Sequence, residues 1–360
     1  MRKYKLPMKI ITIGLNHKTA PIAIREKLYL SPTEREYLLS ELKCLPSVAE
    51  AMVISTCNRT EIYAHMLDDQ PEILIEHMFR IKKMGSGHDA RKHFYIYKEE
   101  KAVEHFFEVA CGLNSLVLGE KQILGQVKEA VALSREKGML SKTFNILSHV
   151  AIRAGKKAQH ETEIGNGGSS VSWAAIAMAQ KVLGTLEGKT FLIIGAGKMG
   201  KLATCYLHKK GWGKVYLMNR TEEKAASLAG QLGAEAVPFW RIKEILSLVD
   251  VCICASGAPH YLIDKDLVAE AARKREGRLI VFMDMSIPRN INPAVATVDH
   301  VKLFTIDDLE VVVKGSSERR QAAVREVQDI IVHKTKEFYG KLSACAAHGN
   351  SAVESGVYTV

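Results

Sequence analysis

Thr190 to Ile194 (TFLII) is a short apolar run, and Gly195-Ala196-Gly197-Lys198-Met199-Gly200 follows at once and opens an amphipathic stretch from Lys201 to Gly211. A GxGxxG between a strand and a helix leaves few folds open. The first glycine permits the tight turn, the second lets a pyrophosphate approach the backbone, and the third lets the helix pack closely on the strand. The helix N-terminus then attracts the phosphates. This half of the chain is predicted to be a doubly wound α/β sheet that binds a dinucleotide. The next strand, Lys214 to Met218, ends in Asn219-Arg220-Thr221. An NAD site usually carries an acidic residue there for the ribose 2′-hydroxyl, whereas an arginine suits a 2′-phosphate, so the cofactor is read as NADP(H).

Val249 to Cys254 and Leu279 to Met285 continue the alternation of strand and helix. Cys252 and Cys254 share one face of a parallel strand and read as packing. Ser256-Gly257-Ala258-Pro259-His260 would lie at that strand's carboxyl end, in the crevice where such sheets bind ligands, bordering the nicotinamide. Ser286 to Pro293 reads as a loop on the same edge.

The first half carries a different pattern. Ala51 to Ile54 and Glu61 to Ala64 flank Ser55-Thr56-Cys57-Asn58-Arg59-Thr60, two short strands joined by a polar turn. A cysteine there would be accessible, with a cation two residues away to favour thiolate, which is what a thiol nucleophile needs. The same stretch serves equally as a core strand ended by a small buried cysteine. Met8 to Leu15 is a strand candidate running into a loop with His17, which reads as structural. Ser31-Pro32-Thr33-Glu34 has the form of a helix start, with Ser31 as N-cap and Glu34 as capping-box partner. Glu100 to Cys111 places Val103, Phe106, Phe107 and Ala110 on one helical face, with His105 beside it. Such a histidine either satisfies a carbonyl or exchanges a proton near a nucleophile. Gly112 to Gln126 then brings Ser115, Glu120, Gln122 and Gln126 into one glycine-punctuated series. They form either a polar ligand site or a solvated loop between two helices.

At 360 residues the chain has room for two or more domains, and 47% hydrophobic with 25% charged residues is ordinary for a soluble protein. No apolar run reaches the length of a membrane span and the opening residues lack a leader's apolar segment, so the expected location is cytoplasmic. The seven cysteines show no CxxC and no zinc spacing, which fits reduced thiols and no metal. The formal net charge of +10 favours a polyanionic partner without specifying one.

Taken together, the chain resembles the glutamyl-tRNA reductase family. The resemblance rests on Gly14 to Pro21 (GLNHKTAP), Ser55 to Glu61 (STCNRTE), Gly112 through Gln126, Glu161 to Gly165 (ETEIG), and Gly195 to Gly200 before Asn219-Arg220-Thr221, and spans roughly residues 8 to 310. It implies an N-terminal α+β catalytic domain with helices that binds glutamyl-tRNA (1–160), a doubly wound Rossmann domain for NADPH (161–312), and a partial spinal helix with a tail (313–360). The implied reaction is the NADPH-dependent reduction of glutamyl-tRNA to glutamate-1-semialdehyde, the first step of tetrapyrrole (porphyrin, haem) synthesis. By this resemblance Cys57 is the nucleophile that forms a thioester and His105 supports proton transfer. Thr56, Asn58, Arg59, Ser115, Glu120, Lys121, Gln122 and Gln126 match positions that hold the glutamyl group. Gly195, Ala196, Gly197, Lys198, Met199, Gly200, Asn219, Arg220 and Thr221 match the cofactor site. Because thioester and nicotinamide belong to different domains, hydride transfer is expected to need their closure.

Two positions depart from the family pattern: Asn114 stands where an aspartate is usual, and Lys121 where a proline is usual. Relatives also continue after the spinal helix into a helical dimerisation domain, whereas Ala344 to Val360 reads here as a frayed tail. A homodimer is thus an open expectation, and a semialdehyde aminomutase is a further partner suggested by the family. Two alternatives stand beside the main reading: a non-catalytic tRNA- or partner-binding regulatory paralogue, and another NADP-dependent thioester reductase.

Overall fold

The computed structural model describes residues 9–85, 89–165, 170–210, 213–309 and 317–354. Met8, Gly211, the expected boundary at 312/313 and the last six residues of the expected tail lie outside the described residues. The chain forms two compact units, Met1–Gly167 with Ser317–Val360, and Gly168–Ser316.

The first unit runs β1 (Lys9–Asn16), α1 (Ile22–Leu28), α2 (Pro32–Lys43), β2 (Val48–Ser55), β3 (Arg59–Met66), α3 (Glu72–Ile81), β4 (Tyr95–Lys98), α4 (Glu100–Cys111), α5 (Lys121–Glu136) and α6 (Lys142–Glu161). Its sheet is antiparallel with the order β2-β3-β1-β4. Residues alternate between two faces along each strand, so the sheet buries a core on both sides. Met52, Ile54 and Tyr63 join α4, α5 and α6 in one core, whereas Ala51, Val53, Ile62 and Ala64 join α1, α2 and α3 in the other. Ser31 starts α2 as expected: its Oγ accepts from Glu34 N at 3.2 Å and the Glu34 carboxylate accepts from Ser31 N at 2.7 Å. Gly112, with φ +78°, ends α4.

The second unit comprises α7 (Val171–Leu183), β5 (Phe191–Ile194), α8 (Lys198–Lys210), β6 (Val215–Met218), α9 (Glu222–Leu232), β7 (Glu235–Ala236), α10 (Ile242–Leu248), β8 (Val251–Cys254), α11 (Lys265–Arg273), β9 (Ile280–Asp284) and β10 (Val301–Thr305). All its strand pairs are parallel, in the order β10-β9-β8-β5-β6-β7. The order reverses between β5 and β8, which is the switch point of a doubly wound dinucleotide fold. Cys252 and Cys254 are fully buried in its core, as their shared face predicts.

The last helix, α12 (Ser317–Glu354), returns to the first unit and buries Ala323, Val327, Ile331, Phe338 and Leu342 against α4 and α6. It runs well beyond Ser343, where the sequence suggested fraying, because Ala344, Ala346 and Ala347 are strong helix formers. Among the described residues no helix is long and apolar enough to cross a membrane. Among the same residues no group of three or more potential metal ligands comes together.

Candidate active site

Cys57 sits where the sequence placed it, in the turn between β2 and β3. The turn is closed by Thr56 N donating to Arg59 O at 2.8 Å, and Thr56 Oγ1 accepts from the backbone N–H of Asn58 (3.1 Å) and of Arg59 (3.3 Å). The loop after β1 braces it through His17 N to Asn58 O at 2.9 Å. Cys57 as a residue is partly exposed.

Arg59, Glu61 and Tyr63 lie at alternate positions of β3 and share one face. Glu61 has no exposed surface and accepts four side-chain hydrogen bonds: Arg59 Nη1 at 2.9 Å, His105 Nε2 at 2.9 Å, Tyr63 Oη at 2.5 Å, and Tyr95 Oη. Burial alone would raise the Glu61 carboxyl; Arg59 and then His105 outweigh it and hold it well below the ordinary carboxylate range. Room for the carboxylate comes from Gly14, its partner across β1 and β3, where a Cβ would stand 2.6 Å from Glu61 Cγ. An ionised carboxylate can only accept, so His105 Nε2 donates to Glu61 and fixes the ring's orientation. Tyr63, Tyr95 and Tyr97 surround the imidazole, with ring centroids at 6.4, 5.4 and 4.9 Å.

The expected influence of Arg59 on the thiol needs correction. Arg59 does lower the Cys57 pKa, but burial and the charge of Glu120 push the thiol up to about 12 against the pull of Arg25 and Arg59. Arg59 is itself 2% exposed, with Glu61 on Nη1 and the carbonyl of Asn114 on Nη2, so its charge is largely answered inside the protein. Arg25, 2% exposed on α1, is a second cation close enough to act on the thiol, and neither spacing nor periodicity singled it out.

Between α4 and α5 the glycine-punctuated segment is a loop, as the plainer reading had it, yet its polar groups are not all solvated. Ser115 and Glu120 are 8% and 9% exposed, whereas Lys121 is exposed. Burial raises Glu120 to about 7 against the pull of Arg59. Gln122 Nε2 and Asn58 Oδ1 are buried and make no hydrogen bond among the described residues, one a donor and one an acceptor. Gln126 is half-buried on the first turns of α5. Asn114, the departure from the family aspartate, meets Arg59 through its backbone carbonyl, a contact that does not require a carboxylate.

In the second unit the three glycines take the places the motif demands. Gly195 has φ +112° and a Cβ there would stand 2.4 Å from Ala255 O; at Gly200 it would stand 1.9 Å from Gly195 O; at Gly197 it would meet nothing within 4 Å. The first and third thus serve packing, and the second leaves an open cradle at the N-terminus of α8. Lys198 and Met199 form the first turn of that helix. Asn219 accepts from Ala196 N at 3.1 Å through Oδ1 and donates from Nδ2 to Thr221 O at 3.0 Å, tying the glycine loop to the end of β6. Arg220 is exposed beside it. At the carboxyl end of β8, Ser256 Oγ donates to Asn290 Oδ1 at 2.5 Å, and Asn290 Nδ2 donates to Ala258 O (2.9 Å) and His260 O (3.2 Å). The two predicted loops of that edge are therefore fastened together by Asn290, a residue whose role the sequence did not disclose.

Known proteins resemble both units. Residues 13–162 match the N-terminal domain family of glutamyl-tRNAGlu reductase, and residues 177–312 match the shikimate/quinate 5-dehydrogenase family, a nicotinamide-dinucleotide domain. The glutamyl-tRNA reductase of Bacillus pumilus is 40% identical over 337 residues, covering 92% of this chain and 73% of that protein. That of Thermodesulfovibrio yellowstonii is 38% identical over 346 residues, covering 94% and 80%. Among solved structures, glutamyl-tRNA reductase from Methanopyrus kandleri aligns with a TM-score of 0.52 at 33% identity, over 93% of this chain and 81% of that one. Identity at this level across nearly the whole chain, on a cysteine turn joined to a dinucleotide fold, places the protein in the glutamyl-tRNA reductase family.

Proposed function

We propose that this chain reduces the glutamyl group of glutamyl-tRNA to glutamate-1-semialdehyde through a thioester on Cys57, with hydride from NADPH, as the entry step of tetrapyrrole synthesis in the cytoplasm. The observation that carries the reading is the partly exposed Cys57 on a turn continuous with the buried Arg59–Glu61–His105 network. In this reading Cys57 Sγ bonds to the ester carbonyl carbon, the ester C–O bond breaks, and tRNA leaves with its ribose hydroxyl restored. A thiol at about 12 needs a proton acceptor, and we assign that role to His105 on the family resemblance, its imidazole oriented by Glu61 through Nε2. NADPH supplies a hydride to the thioester carbonyl, which is a better acceptor than an oxygen ester because sulfur delocalises less charge into it. The C–S bond then breaks, the sulfur regains a proton, and the aldehyde leaves for an aminomutase.

For the glutamyl group we assign Glu120 to the ammonium, which would ionise it, Gln122 Nε2 to a carboxylate oxygen and Asn58 Oδ1 to a donor. Ser115, Lys121 and Gln126 complete the wall, and Thr56 shapes the turn. Arg59 would meet a substrate carboxylate only by releasing Glu61 or Asn114, so we assign it chiefly to holding the turn and the loop together. The cradle at Gly197 and the first turn of α8 would receive the pyrophosphate, and Arg220 the 2′-phosphate. A non-catalytic paralogue is not favoured, because glutamyl-tRNA reductases are 38–40% identical across nearly the whole chain and Cys57 lies on a turn continuous with the Glu61–His105 pair.

The test is a single turnover with glutamyl-labelled tRNA, followed by mass spectrometry on the intact protein. The expected result is a glutamyl adduct on Cys57 without NADPH, its discharge as semialdehyde when NADPH is added, and no adduct on Cys57→Ser. Bound tRNA with no adduct on the wild-type protein overturns the proposal.

A further inference from the structure

A cavity of about 310 Å³ lies between α6 and α12, lined by Arg153, Lys156, Lys157, His160, Glu161 and Lys334. None of these belongs to the site around Cys57. The α6 residues fall at helical spacings of three and four, so they form one charged face. Lys334, only 7% exposed, supplies the opposite wall. The carboxylates nearby do not balance the cations. Glu337 pairs with Arg153 (3.2 Å), Lys334 (2.5 Å) and Lys341 (2.8 Å), while Glu161 pairs with Lys157 at 3.5 Å. Lys156 has no carboxylate partner among the described residues. Four permanent cations and His160 thus line the cavity beside one carboxylate, Glu161, with Glu337 paired to two of the four. A concave surface of this kind suits phosphate oxygens.

Its place along the chain says which phosphates. The last turn of α6 leads through Thr162 into a short 3-10 turn (Glu163–Gly165) that packs on the loop before α5. Gly119, at φ +74°, lies so close that a Cβ would stand 2.0 Å from Ile164 O, and a Cβ on Gly165 would stand 3.1 Å from Lys121 Cε. The helix that lines the cavity thus runs directly into a turn packed on Gly119 to Lys121, of which Glu120 and Lys121 are assigned above to the glutamyl group. From Arg153 to Glu161 the helix spans about 12 Å. A glutamyl group seated at that segment brings the 3′ end of its tRNA with it, and the acceptor arm must then continue over the neighbouring surface. A small free anion would explain the cavity but not its attachment to the substrate loop, nor the chain's net charge of +10.

We propose that the basic cavity between α6 and α12 grips backbone phosphates of the acceptor arm of the tRNA, an assignment that rests on the reading of this chain as a glutamyl-tRNA reductase. The contact is independent of base sequence and adds affinity and orientation.

The experiment measures binding of uncharged and glutamyl-tRNA to the full chain over a series of KCl concentrations, for the wild type and for the Lys156→Gln, Lys157→Gln double variant. The expected result is a slope of log K against log salt shallower by about 2, with affinity roughly tenfold weaker near 100 mM salt, for both tRNA forms. NADPH affinity and melting temperature stay at wild-type values, which separates the effect from misfolding. An unchanged slope overturns the proposal. So does competition by inorganic pyrophosphate that disappears in the double variant while tRNA binding persists, since that outcome marks a small-anion site. Wild-type protein that binds tRNA but forms no Cys57 adduct fails the reduction reading, and the salt slope still judges the cavity. Wild-type protein that binds no tRNA overturns both.

Discussion

His105 Nε2 and Glu61 Oε1 stand 2.9 Å apart in a pocket where both residues are nearly or wholly without solvent. The pair lies at the junction of two elements, α4 and β3, and fixes both the orientation of the imidazole and the ionisation of the carboxylate. Substituting Glu61→Gln should therefore act twice. It leaves Arg59 buried without its counter-ion, a loss of about 3 kcal/mol in urea unfolding. It also frees the imidazole to reorient, so adduct formation on Cys57 should fall even below the unfolding midpoint. A variant of wild-type stability and rate would contradict the assignment.

Cys57 should behave as an unactivated thiol until substrate arrives. With its pKa pushed to about 12, the thiolate fraction rises about tenfold per pH unit through the range from 7 to 10. Alkylation by iodoacetamide, followed by peptide mass spectrometry, should rise correspondingly without levelling. A plateau near pH 8 would show that Arg25 and Arg59 outweigh burial.

Glu120 gives a stability signal of defined sign. Burial raises it from 4.5 to about 7, so the native state holds the proton more tightly than the unfolded chain. Its contribution is present in full below pH 4.5 and is lost as pH rises through 7. Glu120→Gln removes this dependence. The unfolding free energy of the variant minus that of the wild type should grow by at most about 3 kcal/mol between pH 4.5 and 8. A flat difference would place Glu120 in a wetter setting than its 9% exposure indicates.

Gly200→Ala tests the second unit alone. A Cβ 1.9 Å from Gly195 O forces the helix from the strand, so NADPH affinity measured by fluorescence should weaken by roughly tenfold or more. Thioester formation on Cys57, which needs no cofactor in the proposed order, should persist. Loss of both activities together would argue against separate duties for the two units.

How much of this was legible follows from what each feature depends on. The cradle at Gly197 and the capping box at Ser31 depend on neighbours within a few residues, and the sequence disclosed both. The Arg59–Glu61–Tyr63 face was readable from strand alternation, and Glu61 could have been marked as a site residue on that ground. Its convergence with Tyr95 and His105 was not, because β4 and α4 arrive from 34 and 44 positions away. The same holds for the thiol: a cation two residues from Cys57 is visible in the sequence, but its neutralisation by Glu61 and Asn114 is a property of packing. The basic cavity joins Arg153 to Lys334 across the whole second unit and leaves no local trace.

α12 seals the core of the first unit with Ala323, Val327, Ile331, Phe338 and Leu342, although every other element of that unit is finished by residue 165. On the ribosome the catalytic module is therefore translated first and completed last. The dinucleotide domain emerges as an interruption in an unfinished fold, and domains can fold as units during synthesis at about 5–20 residues per second. For roughly ten seconds or more the apolar seat between α4 and α6 has no helix to fill it. A nascent chain arrested before residue 323 would carry Cys57 and the Glu61 network on a module whose hydrophobic flank is still bare, a natural target for a chaperone.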